Sequence, residues 1–402
     1  SKQEAVEKTE LVYGTFCLDN DVHEQIIAFN QQNPDYYITV RLYGDDTIID
    51  YYEYYDDQKL KLQAELASGT APDILDMYSI REYVSYAEKG YLEDLTDYLM
   101  QLNSSEELFW RVLDAYSVNG KHCVLLPFFS IAGIVLTPEQ TNRLAELGMD
   151  WNMESFLTLV RENTEQKDVF IDGTAEHLLD KCVFGMQREL IDYENKSCNF
   201  TTPAFCELLE FCREYGTQGW TDKTSFYYDE LAEITLFMDE SWLGVSDLAY
   251  YDDYVEGMVI AGQPINEGQT YIVECRPGAA AIYAGSTKKE GAWEFLKMFL
   301  ESQYQESETD FSIFQPCLNA QIEAFQSENY YFDQHKEPAR LTQERIDSFY
   351  DILQNQNLQG NLINYNIKNI ILEEAQAYFA GDKSASEVAA SIQGRVQLIL
   401  DE

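Results

Sequence analysis

The first 77 residues alternate short apolar runs with helix-like segments, and this alternation constrains the fold more than any other feature. Strands are predicted at Leu11–Phe16, Tyr36–Tyr43 and Asp73–Met77, which are rich in β-branched, aromatic and aliphatic residues. Helices are predicted between them, one beginning at Asp21 and one over Lys59–Ala67. Because successive strand–helix–strand units normally form parallel sheets, the sequence predicts an α/β fold with helices on the faces of a largely parallel sheet.

Further strands and helix starts follow along the chain. The runs His122–Phe129, which includes a proline, and Thr235–Met238 are predicted as strands. Thr287-Lys-Lys-Glu290 and Ser384-Ala-Ser-Glu387 match a capping box, in which a hydroxyl and a carboxylate bond each other's backbone amides at a helix start. Trp293 lies on the apolar face of the helix after the first box, so it is predicted to be a core residue.

Length and charge bound the number of domains and the class of partner. A chain of 402 residues exceeds what one hydrophobic core serves, so two domains are expected. Its 71 Asp and Glu against 27 Lys and Arg give a formal net charge of −44, which excludes nucleic acid as a partner. The same charge disfavours anionic ligands. No apolar stretch approaches the ~20 residues of a membrane-spanning helix, and the polar start is typical of a mature or trimmed chain.

Sequence signatures of catalysis were sought and not found. The chain contains no phosphate-binding loop, no Gly-x-Ser-x-Gly elbow, no His-Glu-x-x-His and no Gly-x-Gly-x-x-Gly after a strand. The eight cysteines form no Cys-x-x-Cys pair, which argues against structural zinc, while the segment from Cys182 to Cys212 could hold a disulfide. We therefore predict a non-catalytic protein with no cofactor.

An acidic run invites a metal hypothesis, because hard cations take clustered oxygen ligands. The spacing does not fit an EF-hand loop, so the run is interpreted as a solvated acidic loop and no metal site is predicted. Its members are Asp45, Asp46, Asp50, Glu53, Asp56 and Asp57.

Candidate ligand-binding residues follow from the position of the predicted strands. An open α/β sheet binds ligands beyond the carboxyl ends of its strands, and sugars stack their C–H faces on aromatic rings while polar groups bond their hydroxyls. Among the candidates, Trp242 and Tyr78 are favoured as ligand contacts. The predicted ligand-binding residues are Tyr43, Asp45, Asp46, Tyr78, Phe128, Phe129, Ser241, Trp242 and Arg276.

Several segments resemble a known family when taken in order. They are Ala67-Ser-Gly-Thr-Ala-Pro-Asp73-Ile, the Gly-x-Leu-x-Asp-Leu-Thr pattern ending at Thr96, Asn119-Gly-Lys121 through Pro127-Phe128, the helix from Ser286 to Phe299, Phe379-Ala-Gly-Asp-Lys383 and Ile392-Gln-Gly-Arg395-Val. With these segments the chain resembles the family 1 extracellular solute-binding proteins of bacterial ABC transporters, the carbohydrate-binding group that includes maltose-binding protein.

The resemblance implies a two-lobed, type II periplasmic-binding-protein-like fold that closes on its ligand by a hinge. The expected lobes are residues 1–127 plus 277–314 and residues 128–276 plus 315–402. The implied function is capture of a small extracellular solute, a neutral mono- or oligosaccharide, for the permease subunits of an ABC importer. The implied protein is a monomer, lipid-anchored on the outer face of a Gram-positive-type membrane or secreted.

Two departures from the family pattern leave the ligand open. Ile134-Val-Leu-Thr-Pro-Glu139 replaces the usual Tyr-Asn-Lys triplet, and the mid-chain Gly before an Ala-Met strand is replaced by Ala232-Glu-Ile-Thr-Leu-Phe-Met238. One alternative is a cationic, polyamine or peptide ligand attracted by the acidic charge. Another is a glycoside-active enzyme, since such enzymes need only two carboxylates. A third is a surface-recognition protein that works without a transporter.

Overall fold

The structure is a computed structural model that describes residues 8–44, 51–163, 167–171, 173–217, 235–254, 257–301, 304–305, 310–327 and 341–401. Its contacts divide the chain into two compact units. Unit 1 comprises residues 1–130 and 275–323, and unit 2 comprises residues 131–274 and 324–402. The passages between the units thus follow residues 130, 274 and 323, whereas the boundaries expected from the sequence follow residues 127, 276 and 314.

The strands are short, and most lie at positions rich in β-branched or aromatic residues. They are β1 (Thr9–Thr15), β2 (Tyr36–Leu42), β3 (Ile74–Asp76), β4 (Phe128–Leu136), β5 (Ile191–Asp192), β6 (Ser197–Cys198), β7 (Met238–Trp242), β8 (Val259–Ala261), β9 (Gln263–Ile265), β10 (Gly268–Cys275), β11 (Ala280–Ile282), β12 (Phe311–Ser312) and β13 (Leu358–Gly360).

The helices mostly begin at side chains that cap their free amides. They are α1 (Asn20–Gln32), α2 (Tyr51–Ser68), α3 (Met77–Ile80), α4 (Tyr83–Glu88), α5 (Thr96–Met100), α6 (Trp110–Ala115), α7 (Pro138–Leu147), α8 (Met153–Arg161), α9 (Ala175–Leu190), α10 (Pro203–Tyr215), α11 (Val245–Tyr254), α12 (Lys289–Met298), α13 (Gln315–Ser327), α14 (Gln343–Asn355), α15 (Tyr365–Phe379) and α16 (Ala385–Asp401).

The sheet of unit 1 has the order β11–β3–β1–β2, and its two central pairings are parallel. The register runs from Thr9 opposite Tyr36 to Thr15 opposite Leu42, so β1 and β2 end side by side. Strand β11 adds to β3 in the antiparallel direction. The ring of Phe295 on α12 packs 6.0 Å from that of Tyr13 and 5.4 Å from that of Phe29, which ties the late segment of unit 1 to its first strand and helix.

The sheet of unit 2 is mixed. Strands β7 and β8 pair with β4 and β9 pairs with β10, all antiparallel, while β13 runs parallel to β10. The expectation of a mostly parallel sheet in each lobe therefore holds for unit 1 only. For β9 and β10 the reason is their spacing along the chain, because a loop of two residues leaves no room for the crossover that a parallel pair requires. A cluster of Phe156, Phe170 and Phe237 fills the core beneath, with ring centroids 5.1–6.0 Å apart.

Several local predictions need correction. The predicted strand His122–Phe129 is wrong over most of its length, because β4 begins at Phe128, after Pro127, whose ring nitrogen cannot donate to a strand ladder. The predicted strand Thr235–Met238 is displaced to β7. The predicted cap of α1 at Asp21 lies at Asp19, whose Oδ1 accepts the Asp21 amide at 2.8 Å.

The two predicted capping boxes have opposite outcomes. The box at Ser384 is confirmed, since its amide donates to Glu387 Oε2 at 2.8 Å and its hydroxyl accepts the Glu387 amide at 3.3 Å. The box at Thr287 is wrong, because α12 starts at Lys289 with no side-chain cap. Ser286 instead accepts the Lys288 amide. Trp293 is half-buried rather than enclosed in the core, with its ring 5.1 Å from that of Tyr98.

Candidate functional site

The parallel strands of unit 1 bring three aromatic residues to one sheet edge. Two of them, Tyr43 and Tyr78, were predicted as ligand-binding residues, and the third is Phe16. Because β1 and β2 end in register, Phe16 and Tyr43 follow them side by side, with the Tyr43 amide donating to Thr15 O at 3.0 Å. Their ring centroids lie 5.9 Å apart in an edge-to-face arrangement. Tyr78 follows β3 at the same edge and is half-buried. This edge is where an open α/β sheet presents its ligand-binding groups.

The phenol of Tyr43 is held by polar neighbours from β2 and α2. Its hydroxyl bonds the carboxylate of Glu65, which also pairs with Arg41 at 2.8 Å, and the ammonium of Lys61 lies 5.5 Å from the ring centroid. Burial, reinforced by the hydrogen bond to Glu65, raises the pKa of Tyr43 well above its usual range. The side chain is therefore a neutral phenol whose hydroxyl position is fixed. Only 7% of the residue is exposed.

A glycine makes this edge possible. A Cβ on Gly44 would lie 2.5 Å from the carbonyl oxygen of Phe16 and 2.8 Å from Nε2 of Gln58. Any other residue at position 44 would push the end of β2 away from the end of β1. The close approach of the two strand ends therefore depends on the glycine that follows Tyr43.

Sequence reasoning missed the residues that shape the edge after β3. Asp76, predicted as strand interior, caps α3 by accepting the amides of Tyr78 and Ser79 at 3.1 and 3.3 Å. Arg81 ends α3 with φ of 56°, a left-handed backbone that non-glycine residues rarely adopt. The spacing of Asp76 and Ser79 is a helix-start signal that could have been recognised, whereas nothing in the sequence marks the backbone of Arg81.

Arg276 is engaged in an ion pair. Its Nε and one terminal nitrogen bond the Asp310 carboxylate at 2.8 and 3.4 Å, and about a fifth of each side chain is exposed. Next to it, the Cys275 amide donates to the Tyr116 hydroxyl at 3.0 Å. Arg276 therefore neutralises an acid of unit 1, and its role as a ligand contact stays a prediction.

Ser241 and Trp242 lie on β7 in unit 2 and point to opposite faces, as neighbours on a strand must. Ser241 is exposed and donates to Glu274 Oε2 at 3.0 Å. Trp242 is 1% exposed, and its ring packs against Gly133 of β4 so closely that a Cβ there would lie 3.1 Å from Cζ3. Its contacts are those of a packing residue, and stacking on a ligand stays a prediction.

Phe128 and Phe129 are buried in the first residues of β4. The ring of Phe128 lies 5.6 Å from that of Tyr304, and the ring of Phe129 lies 5.7 Å from that of Phe311. Both side chains pack within unit 1, and a ligand contact by either stays a prediction. The candidates Asp45 and Asp46 lie outside the described residues, together with Asp50 of the acidic run, whereas Glu53, Asp56 and Asp57 lie in helix α2 rather than in the expected loop.

Groups of three or more His, Cys, Asp or Glu that could hold a metal ion were sought in the described ranges, and none was found there. Tyr43 and Tyr78 thus share one sheet edge of unit 1, while Ser241 and Trp242 belong to unit 2. The described edge combines aromatic rings, a neutral phenol and backbone groups with the paired charges of Arg41 and Glu65.

No protein-family model matches the chain, and no curated protein matches it. Solved structures match over nearly its whole length. A putative binding protein from Bacillus subtilis in an open conformation is 12% identical, with 98% of this chain and 99% of that chain covered and a TM-score of 0.64. The sugar-binding protein MalE from Xanthomonas citri is 15% identical, with 98% of both chains covered and a TM-score of 0.62. An ABC substrate-binding protein from Listeria monocytogenes in complex with cycloalternan is 16% identical, with 98% and 100% covered and a TM-score of 0.57.

Likeness at these identities establishes the fold. The predicted fold class, an α/β binding-protein fold with helix-flanked sheets, is confirmed. A designed esterase that was improved by directed evolution also matches, at 14% identity and a TM-score of 0.56. The fold by itself therefore does not separate a binding protein from an enzyme.

Proposed function

We propose that this chain, which has the fold of the sugar-binding proteins of ABC transporters, is the substrate-binding component of an ABC importer and captures a neutral mono- or oligosaccharide without chemical turnover. The observation that carries the proposal is the likeness of fold over nearly the whole chain to proteins solved with tagatose, cycloalternan and mannotriose. Permease subunits are the implied partners. The hinge closure expected from the family resemblance is part of the proposal.

The edge after β1, β2 and β3 supports a neutral, hydroxyl-rich ligand. Ligand sites combine apolar or aromatic walls with a few fixed polar groups. Tyr78 supplies a half-buried ring, Phe16 and Tyr43 supply rings that are 5% and 7% exposed, and the Tyr43 phenol is held neutral by burial and by Glu65. The formal net charge of −44 disfavours phosphorylated and uronic sugars relative to neutral ones.

We propose the extracellular face of the membrane as the location, with a lipid anchor of the Gram-positive type. The similar ABC binding proteins support an exported protein. Within the part of the chain that the structure describes, no helix is long and apolar enough to cross a membrane.

A thermal-shift screen tests the proposed function. Mono- and oligosaccharides are compared with polyamines and divalent cations, because a ligand that binds only the native state raises the melting temperature by mass action. We expect an increase with one class of neutral sugar, and at a ligand concentration of about 100 Kd the stabilisation should be about 2.7 kcal/mol. Isothermal titration of the responding sugar should give one binding site per chain. A separate reducing-sugar assay should detect no new reducing ends.

Two other outcomes would replace the proposal. A shift only with polyamines or divalent cations that disappears in high salt would assign a cationic ligand, which the acidic composition favours, since salt screens charge-driven binding. Release of new reducing ends from oligosaccharides would assign a glycoside-active enzyme.

Arg81 provides a test of the edge after β3. Its left-handed backbone costs free energy that functional sites tolerate, and the side chain is exposed beside Tyr78. We expect Arg81→Gly to raise the free energy of unfolding by about 0.5–1 kcal/mol, because glycine adopts this backbone without strain. The affinity for the responding sugar should fall at least several-fold.

Lys196 is the matched control, because it has φ of 49° in the turn between β5 and β6 of unit 2. Lys196→Gly should stabilise to a similar extent and leave the affinity unchanged. Equal affinities for both variants and the parent protein, measured by isothermal titration, would remove Arg81 from the ligand-binding edge.

A further inference from the structure

A buried acid joins the ends of β1 and β3 at the edge described above. Oδ2 of Asp76 accepts hydrogen bonds from Thr15 Oγ1 at 2.7 Å and from Ser79 Oγ at 2.8 Å. Oδ1 accepts the amides of Tyr78 and Ser79. The Phe16 amide donates to Ser79 Oγ at 3.2 Å, so the last residues of β1 are fastened to the first residues of α3. Asp76 itself is 2% exposed.

The hydroxyl of Thr15 has two competing acceptors. It lies 2.7 Å from Asp76 Oδ2 and 2.8 Å from the carbonyl oxygen of Cys17, but it carries a single hydrogen. Cys17 is exposed and immediately follows Phe16 at the candidate edge. The direction of this one hydrogen therefore determines how strongly the Cys17 carbonyl is already engaged.

The protonation state of Asp76 decides that direction. A buried ionised carboxylate requires both hydroxyls as donors, so the Thr15 hydrogen turns toward Oδ2. A protonated Asp76 donates instead. Its hydrogen can go to Ser79 Oγ, the Ser79 hydrogen to Thr15 Oγ1 across 3.1 Å, and the Thr15 hydrogen to Cys17 O. Each hydroxyl then donates once and keeps its backbone donor, the Phe16 amide at Ser79 Oγ and the Cys17 amide at Thr15 Oγ1, and only one proton from solvent has been added.

We propose that Asp76 is a proton-sensitive positioning residue, which through Thr15 switches the hydrogen bond on the Cys17 carbonyl and so tunes ligand binding at this edge. The inference rests on the proposed function for its ligand-binding part. Because a hydroxyl-rich ligand donates hydrogen bonds to carbonyl oxygens, the ionised state presents the better acceptor. Acidification is then expected to weaken binding.

The electrostatic surroundings place the switch in an accessible pH range. Burial raises the pKa of Asp76 to about 6, although the hydrogen bonds from Thr15, Ser79 and the backbone pull it down. The titratable group of β1 that interacts electrostatically with Asp76 is the Tyr13 phenol, which also interacts with Asp19 and Tyr304. Burial and the negative charge of Asp76 raise the pKa of Tyr13, so this phenol stays neutral between pH 4.5 and 8. The residues of β11 that pair with β3 are alanine and isoleucine.

The decisive measurement is ligand-free. The carbonyl ¹³C shift of Cys17 is followed by nuclear magnetic resonance from pH 4.5 to 8 in the full chain. We expect this shift to titrate with a midpoint near the pKa of Asp76, which burial raises to about 6. In Asp76→Asn the Cys17 shift should not change with pH. In Thr15→Val the Cys17 shift should also be flat, while the Asp76 carboxyl shift still titrates. Thr39→Val is the matched control: Thr39 is half-buried on β2, donates to Glu10, and should keep the parental titration when replaced.

The binding arm uses maltotriose as the probe. Its affinity for the parent protein should fall about 3–10-fold from pH 7.5 to pH 5, the amount expected for one weakened hydrogen bond, and should be independent of pH in Thr15→Val. A Cys17 carbonyl that does not titrate, or that titrates equally in Thr15→Val, would overturn the switch. If no neutral sugar of the thermal-shift screen, maltotriose included, binds at either pH, the proposed function is overturned, and the carbonyl titration still decides the switch.

Discussion

Replacing Lys59 by methionine is expected to lower the free energy of unfolding of unit 1 by about 3–5 kcal/mol. The ammonium of Lys59, on α2, lies 2.5 Å from the carboxylate of Glu82, at the start of α4, with 5% and 1% of the side chains exposed. Removing one partner leaves a carboxylate in a site with little water, and the uncompensated charge is what makes the change costly. Urea denaturation followed by circular dichroism measures the loss.

Two further variants separate the buried charge from packing. Lys59→Met combined with Glu82→Leu removes both charges and should recover most of the loss, since paired removal leaves no unsatisfied ion. Lys289→Met breaks the more exposed pair with Glu93, where 30% and 26% of the side chains are exposed, and should cost less than about 1 kcal/mol. A Lys59→Met protein as stable as Lys289→Met would contradict the prediction.

Replacing Trp242 by alanine is expected to cost about 3–5 kcal/mol of stability, because the ring is 1% exposed and the cavity would be left in a close-packed sheet face. Gly133 shows how tight the site is, since even a Cβ there would crowd the Trp242 ring. Denaturant unfolding and loss of the near-ultraviolet signal of a packed tryptophan provide the measurement. Leu243→Ala, at the exposed neighbour, should change stability little.

This expected loss determines how a ligand role for Trp242 must be tested. Stacking on a sugar would contribute roughly 1–3 kcal/mol to binding, which alanine would remove together with the fold of the strand. Trp242→Phe keeps a ring in the cavity and is the informative variant. Full affinity in a folded Trp242→Phe protein would argue that the tryptophan packs only, whereas a several-fold loss would support contact with the ligand.

The elements of unit 1 could be predicted from local pattern. The strands at Leu11 and Tyr36 and the buried face of Val22, Ile26 and Phe29 follow from apolar periodicity, and the structure contains them within a residue or two. In unit 2, the bounds of α10 are marked in the same local way by a capping Thr202, a proline at the first position and Gly216 after the last residue. Local signals of this kind favour a helix or strand conformation without the need for tertiary contacts.

The antiparallel strands of unit 2 could not be predicted in the same way. Strands of three residues such as β8 and β9 carry too few positions for a period to emerge, and the direction of β8 depends on β4, a partner far along the chain. The site was only partly foreseen for a related reason. Tyr43 and Tyr78 were placed at this edge from their positions after strands, and ligand contact by either stays a prediction, whereas Glu65 is brought to Tyr43 from a helix across 22 residues of sequence.

The order in which unit 1 is assembled affects how the protein is made. Strand β11, which completes the sheet beside β3, and Phe295, which covers Tyr13 and Phe29, are both encoded after residue 274. At a synthesis rate of about 5–20 residues per second, the first 130 residues wait roughly 7–30 seconds for them while unit 2 is being translated. During that interval the apolar faces of β1 and α1 are available to chaperones. For the exported protein proposed above, this delay would keep the first domain from being completed before the chain crosses the membrane.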